Sequence, residues 1–342
     1  MPTDSFIDEQ FADFTVKVNS LCNAECAHCF QYSKSRRELE LMAFVGILPG
    51  VMRALAALGT RRVMMSIVGG EPCLLTPESK VQLIEVVLPA VARASHDAGL
   101  RTEITVISNL LVGPGPVEWL AELGRRSQAL GVPLQYATSY ETDTGRFDGN
   151  GSALRWEKNV AYLRTRGRLS VQVTLTRGVC LEVENIIEEL AQQFDSIDFQ
   201  PLVSLPGSTP DAAIVPDYSE LADALAVIRL KQAGIDTINL PLTVRKPGFY
   251  LGVDDDGTLS TAFSEEIHCN GNRVPLGKPD LESWLRWQLT SQMRDRIRRR
   301  VTYGRCRTCP AAQDCTFGFE KLVSAFEPLA CHGFPGALQA SL

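Results

Sequence analysis

The chain has 342 residues, of which 45% are hydrophobic and 22% are charged, and its formal net charge is −6. This length and composition allow one large domain and a smaller one and exclude a disordered chain, while the acidic balance argues against nucleic acid as the main partner. The most apolar stretch, residues 41–52, is too short to span a membrane, and the acidic N-terminus is unlike a signal peptide. We therefore expect a soluble cytoplasmic protein.

Apolar runs rich in β-branched residues alternate with helical patterns through the first 235 residues. Strands are predicted at residues 14–19, 62–68, 102–108, 133–138, 169–175 and 197–202. Helices are predicted at residues 40–58, 77–98, 116–129, 154–166, 182–194 and 217–234. This alternation predicts an α/β fold with a parallel sheet and right-handed crossovers, either an open doubly wound sheet or a curved partial barrel of six strand–helix units. In both folds the active site lies at the carboxyl ends of the strands.

The alternation stops after about residue 245. A hairpin is predicted at residues 249–262, with its turn at Asp255-Asp256-Gly257, and a helix follows at residues 281–300. Four of the chain's cysteines come after that helix. The sequence therefore predicts a first domain over residues 1–235 and a small, metal-organised, cysteine-rich domain over residues 236–342.

The ten cysteines of the chain are unevenly spaced. Disulfides are rare in a reducing cytoplasm, so clusters of cysteines far apart in the chain indicate metal ligation. The first cluster, Cys22, Cys26 and Cys29, directly follows the first predicted strand. Three thiolates in one loop can hold a four-iron cluster and leave one iron open to another ligand. Zinc is the alternative, but it needs a fourth nearby ligand, which only His28 could supply, and only with strain.

The CxxxCxxC spacing on the first strand–helix loop, with the aromatic His28 before the third cysteine, resembles the radical S-adenosylmethionine (SAM) superfamily. The resemblance implies a 4Fe–4S cluster on the three cysteines, with SAM bound to the open iron through its amino and carboxylate groups. It also implies that one electron cleaves SAM to methionine and a 5′-deoxyadenosyl radical. That radical would abstract a hydrogen atom from the substrate.

A second motif, Gly69-Gly70-Glu71-Pro72, ends the second predicted strand. Glycine lets a backbone approach a ligand closely, and a carboxylate beside it can face an ammonium group. Alone, this string is compatible with an ordinary turn. About 40 residues after the cysteines, it resembles the GGE motif of the superfamily. The resemblance implies that Gly69, Gly70 and Glu71 hold the SAM amino group.

Polar residues also stand at the ends of later strands. Ser108 and Asn109 end the third, Ser139 and Glu141 end the fourth, and Gln200 lies in the sixth. They resemble positions that contact the ribose, carboxylate or adenine of SAM in relatives, although polar strand ends are common in any parallel sheet. The resemblance extends over residues 14–205 in matching order.

The third group of cysteines resembles the SPASM or shorter twitch extension of the superfamily, which holds auxiliary clusters. The chain departs from the full pattern, because Phe319 stands at one cysteine position and only Cys269 remains of the upstream cysteines. The resemblance therefore implies one auxiliary 4Fe–4S cluster, with Cys269 as a substitute ligand or a free thiol. A zinc knot is the alternative. The expected ligands are Cys306, Cys309, Cys315 and Cys331.

Seven arginines between residues 294 and 307 lead into these cysteines. Such a run usually forms a solvated helix face, but here it could also raise a cluster's potential or dock an acidic ferredoxin or flavodoxin. Among the single cysteines, Cys73 is predicted to be a packing residue. Cys180, expected in the loop after the fifth strand, and Cys269 are either inert thiols or donors that return a hydrogen atom to the substrate.

The leading functional hypothesis is a radical SAM enzyme that crosslinks, oxidises or epimerises a residue of a peptide or protein. The alternative is a dehydrogenase, an epimerase or a C–C bond-forming enzyme acting on a sugar, aminocyclitol or nucleoside. It is favoured by the reduced set of late cysteines and by the short segment before the first strand, where we expect no fused leader-peptide-binding domain. A metal-stabilised binding protein is the non-enzymatic hypothesis. The sequence has no P-loop, HExxH or nucleophile-elbow motif, which argues against hydrolytic and nucleoside-triphosphate chemistry.

Overall fold

The structure is a computed structural model of the chain, and it describes residues 7–29, 35–149, 151–202, 212–235, 237–239, 246–261 and 273–302. Within these ranges, ten strands form a single sheet. The strands are β1 (Ile7–Lys17), β2 (Arg62–Val68), β3 (Arg101–Ile107), β4 (Leu134–Ser139), β5 (Leu169–Leu175), β6 (Ser196–Pro201), β7 (Ile238–Asn239), β8 (Lys246–Val253), β9 (Thr258–Ser260) and β10 (Arg273–Pro275).

Helices connect the strands in the alternation that the sequence predicts. The α-helices of the described ranges are α1 (Leu41–Ala57), α2 (Pro77–Gln82), α3 (Leu88–Ala98), α4 (Pro114–Ala129), α5 (Ser152–Arg164), α6 (Arg177–Ala191), α7 (Tyr218–Gln232) and α8 (Leu281–Thr302). A π-helical turn (Leu83–Val87) joins α2 to α3 within the predicted helix 77–98. Pro89 follows that turn, and because proline lacks the N–H that an α-helix needs, the wider turn accommodates it.

The strand order across the sheet is β10-β9-β8-β1-β2-β3-β4-β5-β6-β7. The strands from β8 to β7 in this order pair in parallel, whereas β9 pairs antiparallel with both β8 and β10. The sheet therefore keeps two edges and does not close on itself, which confirms the predicted α/β partial barrel. The parallel register brings the carboxyl ends of β1 to β6 to the same side of the molecule.

Alternate residues along the central strands face different surroundings. In β2, Val63, Met65 and Ile67 are buried, whereas Met64 and Ser66 are partly exposed. Successive side chains of a strand point to opposite faces, so the helices cover one face and leave the other more open. Full burial of each such apolar side chain stabilises the fold by about 1.5–3 kcal/mol. The core therefore lies between the sheet and the helices, and the inner face is available for function.

Helix α6 begins earlier than the sequence predicts. The prediction started this helix at residue 182, but Thr176 is its N-cap, with its side chain accepting from the Val179 N–H, and Arg177 is the first helical residue. Thr is a strong N-cap because its hydroxyl satisfies an N–H group that has no partner within the helix. Cys180 consequently lies in the first turn of α6, so its expected position in a loop is wrong.

The predicted hairpin is confirmed, since β8 and β9 pair antiparallel on either side of Asp254–Gly257. β8 also pairs in parallel with β1, so the sheet continues past residue 235. Helix α8 contacts α1, and Arg53 donates to Glu282 at 2.9 Å. The predicted division of the chain at residues 235 and 236 stays a prediction.

Several predicted residues lie outside the described part of the chain. They are Cys269, Cys306, Cys309, Cys315 and Cys331. The arginine run begins within α8, whose side chains from residue 292 onward are also outside it. None of the described helices has both the length and the apolar character that a bilayer crossing requires.

Candidate active site

The cysteine loop (residues 18–29) leaves the carboxyl end of β1. Its first residue donates a backbone hydrogen bond from Val18 N to Val68 O at 2.8 Å, which fixes it beside the end of β2. Cys22, Cys26 and Cys29 are all partly exposed. The Cys22 sulfur accepts a hydrogen bond from the Ala24 N–H at 3.4 Å. Cys29 N donates to Cys26 O at 3.0 Å, which closes a tight turn. The three predicted ligands are therefore together on one ordered loop.

The three thiols influence one another electrostatically. Burial raises the pKa of the Cys26 thiol to about 11, the Arg146 guanidinium acts in the opposite direction, and Cys29 and Cys22 raise the pKa further. No three His, Cys, Asp or Glu side chains in the described ranges converge on a point suited to a single metal ion. Three cysteine thiols are the ligand type of an iron–sulfur cluster, so the donor set fits one.

Buried polar atoms without a partner lie in the same region. In the described part of the chain they include His28 Nδ1 on the cysteine loop, Asn19 Oδ1 at its start and Thr144 Oγ1 on the loop that follows β4. Thr144 O also accepts from Ala27 N at 2.8 Å, which places that residue against the cysteine loop. Buried polar groups are normally paired, so the unpaired His28 Nδ1 and Thr144 Oγ1 at the cysteine loop are free to bond to a bound group. The residues present therefore fit an iron–sulfur cluster and a polar ligand.

The Gly-Gly-Glu turn (residues 69–71) lies directly on the cysteine loop. Gly70 N donates to Asn19 O at 2.9 Å, and Glu71 N donates to Leu21 O at 2.7 Å. A Cβ on Gly69 would lie 2.2 Å from Asn19 Oδ1, and one on Gly70 would lie 2.2 Å from Leu21 O. Both glycines are therefore required because two backbones meet here, and neither has the positive φ that also favours glycine.

The Glu71 carboxylate is fully buried and is directed into the protein. Oε1 accepts from Cys73 N at 2.9 Å and from Ser108 Oγ at 2.8 Å, while Oε2 accepts from Asn109 N at 2.7 Å. Burial raises its pKa, and these hydrogen bonds oppose the increase. The carboxylate thus ties the end of β2 to the end of β3, and its predicted contact with the SAM amino group stays a prediction.

The β3 loop (residues 108–113) completes this side of the site. The Asn109 side chain donates to Asn23 Oδ1 at 2.9 Å and to the Cys22 sulfur at 3.6 Å. The next residue, Leu110, has φ +56°, a backbone conformation that is strained for leucine. Asn159 of α5 donates to Leu110 O at 2.8 Å and to Val112 O at 2.9 Å, and so holds the strained loop in place.

The β4 loop (residues 140–149) contacts the cysteine loop from the other side. Glu141 accepts from Arg146 Nε at 2.6 Å and from Thr174 Oγ1 at 2.9 Å, and both charged residues are buried. His28 Nε2 lies 3.7 Å from Glu141 Oε1. Burial lowers the pKa of His28, with Glu141 opposing the decrease. Sequence reasoning identified Glu141 and His28 but missed Arg146. The sequence feature that could have pointed to Arg146 is its position five residues after Glu141.

The single cysteines Cys73 and Cys180 are both buried. Cys73 lies 3.7 Å from Ser108 Oγ, in agreement with its predicted packing role. Burial raises the pKa of the Cys180 thiol to about 12, so this group stays protonated at neutral pH. The nearby Asp143 accepts from Thr176 Oγ1 and from Gly178 N at 2.7 Å, and links the β4 loop to the start of α6. Whether Cys180 donates a hydrogen atom stays a prediction.

The remaining predicted residues lie on the inner face of the sheet. Ser139 is in register with Gln172, and Gln200 is in register with Thr174. All four side chains are partly exposed. The structure therefore places Ser139 and Gln200 on the open face, each one strand away from β5 and on opposite sides of it.

The sequence matches no protein-family model and no curated protein. Solved structures are nevertheless similar over almost the whole chain. Native anSMEcpe with bound AdoMet and Kp18Cys peptide has a TM-score of 0.67 at 12% identity and covers 97% of this chain and 96% of its own. SuiB of Streptococcus suis has a TM-score of 0.60 at 15% identity and covers 95% of this chain and 78% of its own. Both are radical SAM enzymes of the SPASM type, and at these identities the likeness shows the fold.

Proposed function

We propose that this chain, which has the fold of radical SAM enzymes, binds a 4Fe–4S cluster and SAM and removes a hydrogen atom from a residue of a peptide or protein. The observation that carries the proposal is the meeting of three segments at the carboxyl ends of β1, β2 and β3. The cysteine loop, the Gly-Gly-Glu turn and the β3 loop are joined there by hydrogen bonds around three thiols. Unpaired buried polar atoms lie beside them.

In this proposal Cys22, Cys26 and Cys29 ligate the cluster. The Asn109 amide orients the Cys22 sulfur through its 3.6 Å contact, as partners of metal ligands commonly do. Glu71 holds the strand ends that position both loops. When bound, the cluster and SAM supply one-electron cleavage of SAM and the radical that takes a hydrogen atom.

We propose further that the Gly-Gly-Glu turn, with Ser108 and Asn109, binds the amino acid portion of SAM. His28, Ser139, Glu141 and Gln200 would contact the rest of the molecule, as the resemblance implies. The position of Ser139 and Gln200 on the open face supports this assignment, because a ligand reaching out from the cysteine loop passes along that face. Because Glu141 is buried and paired with Arg146, we expect it to contact SAM less directly than the other three residues do.

A peptide or protein substrate is supported by the structural likeness to anSMEcpe, which has been solved with bound AdoMet and the Kp18Cys peptide. The proposed reaction is crosslinking, oxidation or epimerisation at one residue. A small polar metabolite such as a sugar, aminocyclitol or nucleoside is the second candidate. It is favoured by the partly exposed Ser66, Gln172 and Thr174 on the inner face, whose hydroxyl and amide groups suit a polyhydroxylated ligand.

We also propose one auxiliary 4Fe–4S cluster in the C-terminal region and an acidic ferredoxin or flavodoxin as the electron donor. The seven arginines that precede the late cysteines support a docking site for such a donor. Because these clusters require a reducing environment, the cytoplasm is the proposed location. Cys269 is proposed as a substitute ligand of the auxiliary cluster or as a hydrogen donor.

The test is anaerobic reconstitution of the full chain with iron and sulfide, followed by dithionite and SAM. We expect about eight irons per chain, about four on each cluster, and release of 5′-deoxyadenosine. Replacement of Cys22, Cys26 and Cys29 by alanine should remove about four irons and abolish 5′-deoxyadenosine. Candidate peptides and sugars are then added separately. The class that increases the release of 5′-deoxyadenosine is the substrate class.

The matched control is Cys73→Ala, which removes a buried cysteine outside the cysteine loop and should keep both the iron and SAM cleavage. Full iron content and unchanged 5′-deoxyadenosine in the triple variant would refute the proposed function. About four irons in the wild-type chain would refute the auxiliary cluster alone. Stimulation by sugars but not by peptides would replace the first substrate class by the second.

A further inference from the structure

The turn of the β8–β9 hairpin lies against the start of the cysteine loop, and the proposed function gives this contact no role. Asp255 in that turn is 5% exposed, and Ser20 of the loop is 4% exposed. The Ser20 hydroxyl donates to Asp255 Oδ2, which lies 235 residues further along the chain. Ser20 stands two residues before Cys22, the first of the proposed cluster ligands. This contact therefore joins a later part of the chain to the site of the thiols.

The Asp255 carboxylate bridges the point where β1 ends and the cysteine loop begins. Its Oδ1 lies 3.2 Å from the Nζ of Lys17, the last residue of β1, and its Oδ2 accepts from Ser20. Both oxygens are thus in use, and turning the carboxylate would break both contacts. Because a buried charge without partners is costly, burial favours the arrangement in which both contacts are made.

Contacts within the hairpin hold Asp255 in this direction. Asp254 Oδ1 accepts from the Asp255 N–H at 2.9 Å and lies 3.2 Å from Lys17 Nζ. Arg273 of β10 donates to Asp254 Oδ2 at 3.1 Å and to Asp256 Oδ2 at 3.0 Å. Charged groups therefore hold the turn from both sides, with the Asp255 side chain directed at the cysteine loop.

Ser20 is held from three directions. Its N–H donates to Arg37 O at 3.1 Å, and its carbonyl oxygen would lie 2.7 Å from a Cβ on Gly70. These two contacts enclose its backbone, and Asp255 makes the third contact, with the hydroxyl. A hydrogen bond to a charged acceptor is stronger than one to a neutral acceptor. The hydroxyl can be removed without changing either backbone contact, so the hairpin contact can be tested by itself.

We propose that Asp255 is a positioning residue for the 4Fe–4S cluster of the cysteine loop, and that it acts through Ser20 by fixing the direction in which this loop leaves β1. The three thiols follow Ser20 on the same loop, so a change in that direction would move them relative to Asn109 and the Gly-Gly-Glu turn. The hairpin then contributes to SAM binding independently of the late cysteines. This inference rests on the proposed function.

The first measurement is hydrogen exchange of the full-length apo-protein, which needs neither the cluster nor SAM. Ser20→Ala and Asp255→Ala should each make the amides of Gly70 and Glu71 exchange about 10-fold faster. These amides donate to Asn19 O and Leu21 O, on either side of Ser20, and a loop with one contact fewer opens more often. Amides of β4 and β5 should exchange as in the wild type.

The second measurement is a SAM titration of the reconstituted full-length enzyme followed by EPR. The relevant cluster is the one whose EPR signal changes when SAM is added, which separates it from the auxiliary cluster. Ser20→Ala and Asp255→Ala should each bind SAM about 10-fold more weakly. The double variant should bind no more weakly than Asp255→Ala, because the two residues share one contact.

Two control variants match the two substitutions. Ser127→Ala removes a buried hydroxyl that donates to Val132 O at 2.7 Å, far along the chain from the cysteine loop. Asp256→Ala removes the neighbouring carboxylate of the same turn, which pairs with Arg273. Both controls should keep wild-type exchange in the Gly-Gly-Glu turn and wild-type affinity for SAM.

Unchanged SAM affinity in Ser20→Ala would overturn the inference, and faster exchange in that variant would then show a merely structural contact. Equal effects in the two controls would overturn it too, since they would show general destabilisation. If Asp255→Ala does not fold, Ser20→Ala decides by itself. Absence of a SAM-responsive cluster in the wild type would refute the proposed function instead, while the exchange measurement still tests the contact between hairpin and loop.

Discussion

The cysteine loop is held between two walls of different chemistry. The neutral wall consists of the Gly-Gly-Glu turn and the β3 loop. It is named for its contacts with the cysteine loop, which are made by backbone groups and amide side chains, while the Glu71 carboxylate is directed away into the protein. The charged wall is the β4 loop, which holds one backbone hydrogen bond and the buried pair of Glu141 and Arg146. One wall holds the cysteine loop through uncharged contacts, and the other places a buried ion pair beside it.

The two walls also use glycine for different reasons. In the neutral wall Gly70 is needed for space, because an added Cβ would overlap the Leu21 carbonyl at 2.2 Å. In the charged wall Gly145 is needed for its φ of +76°, since the contacts that its Cβ would make are 3.3 Å or longer. A clash with backbone cannot relax cheaply, whereas a left-handed residue costs a limited amount of strain. The neutral wall should therefore be the less tolerant of change.

Gly70→Ala should have the largest effect among the single substitutions considered. The new Cβ forces the turn away from the cysteine loop, so we expect a loss of about 2–3 kcal/mol in the free energy of unfolding. Displaced thiols should also weaken cluster binding by about 10–100-fold. Urea unfolding of the apo-protein and iron content after reconstitution measure the two effects.

The control for Gly70→Ala is Gly46→Ala in α1, where nothing lies within 4 Å of the added Cβ. Alanine inside a helix is favoured over glycine, so this variant should be about 0.5–1 kcal/mol more stable and bind iron normally. Equal iron binding by the two alanine variants would contradict the close approach of the two backbones.

Glu71→Gln tests the polar half of the neutral wall. The glutamine amide can accept on one side only, so the Asn109 N–H or the Cys73 and Ser108 donors would face an N–H₂ group. Leaving one buried donor unpaired should cost about 1–3 kcal/mol in unfolding free energy. Glu78→Gln on the surface of α2 is the control, with an expected change within about 0.5 kcal/mol. A similar stability of both variants would show that the carboxylate is not needed to join the strand ends.

The sequence was sufficient to predict the neutral wall because its residues stand at strand ends. Glu71, Ser108 and Asn109 each follow a β-branched run, and parallel pairing places such positions side by side. What the motif could not show is the direction of the Glu71 carboxylate, since that depends on where the β3 backbone offers its N–H groups. The same limit applies to Asn159, whose role depends on the strained carbonyls of a loop 47–49 residues away.

The charged wall was only half predictable. Glu141 was identified because it closely follows β4, but nothing local to Arg146 shows that the turn at Gly145 lies against the cysteine loop. The start of α6 was also predicted wrongly, since the prediction began this helix at residue 182 and Thr176 caps it. The structure shows instead that Gly178 makes room for Asp143, whose carboxylate would lie 2.8 Å or less from an added Cβ. Tertiary contacts, which local patterns do not encode, decided both positions.

Gly145→Ala tests the charged wall and should have the smallest effect of the three. Alanine at φ +76° should cost about 1–2 kcal/mol in unfolding free energy, measured by urea unfolding of the apo-protein. Gly257→Ala in the hairpin turn is a matched control, because that glycine has the same φ of +76° and nothing within 4 Å. The two variants should therefore lose equal stability, but only Gly145→Ala lies against the cysteine loop, so only that variant should lower the iron content after reconstitution. A loss of iron in both variants, or in neither, would mean that the β4 loop does not help to hold the cysteine loop.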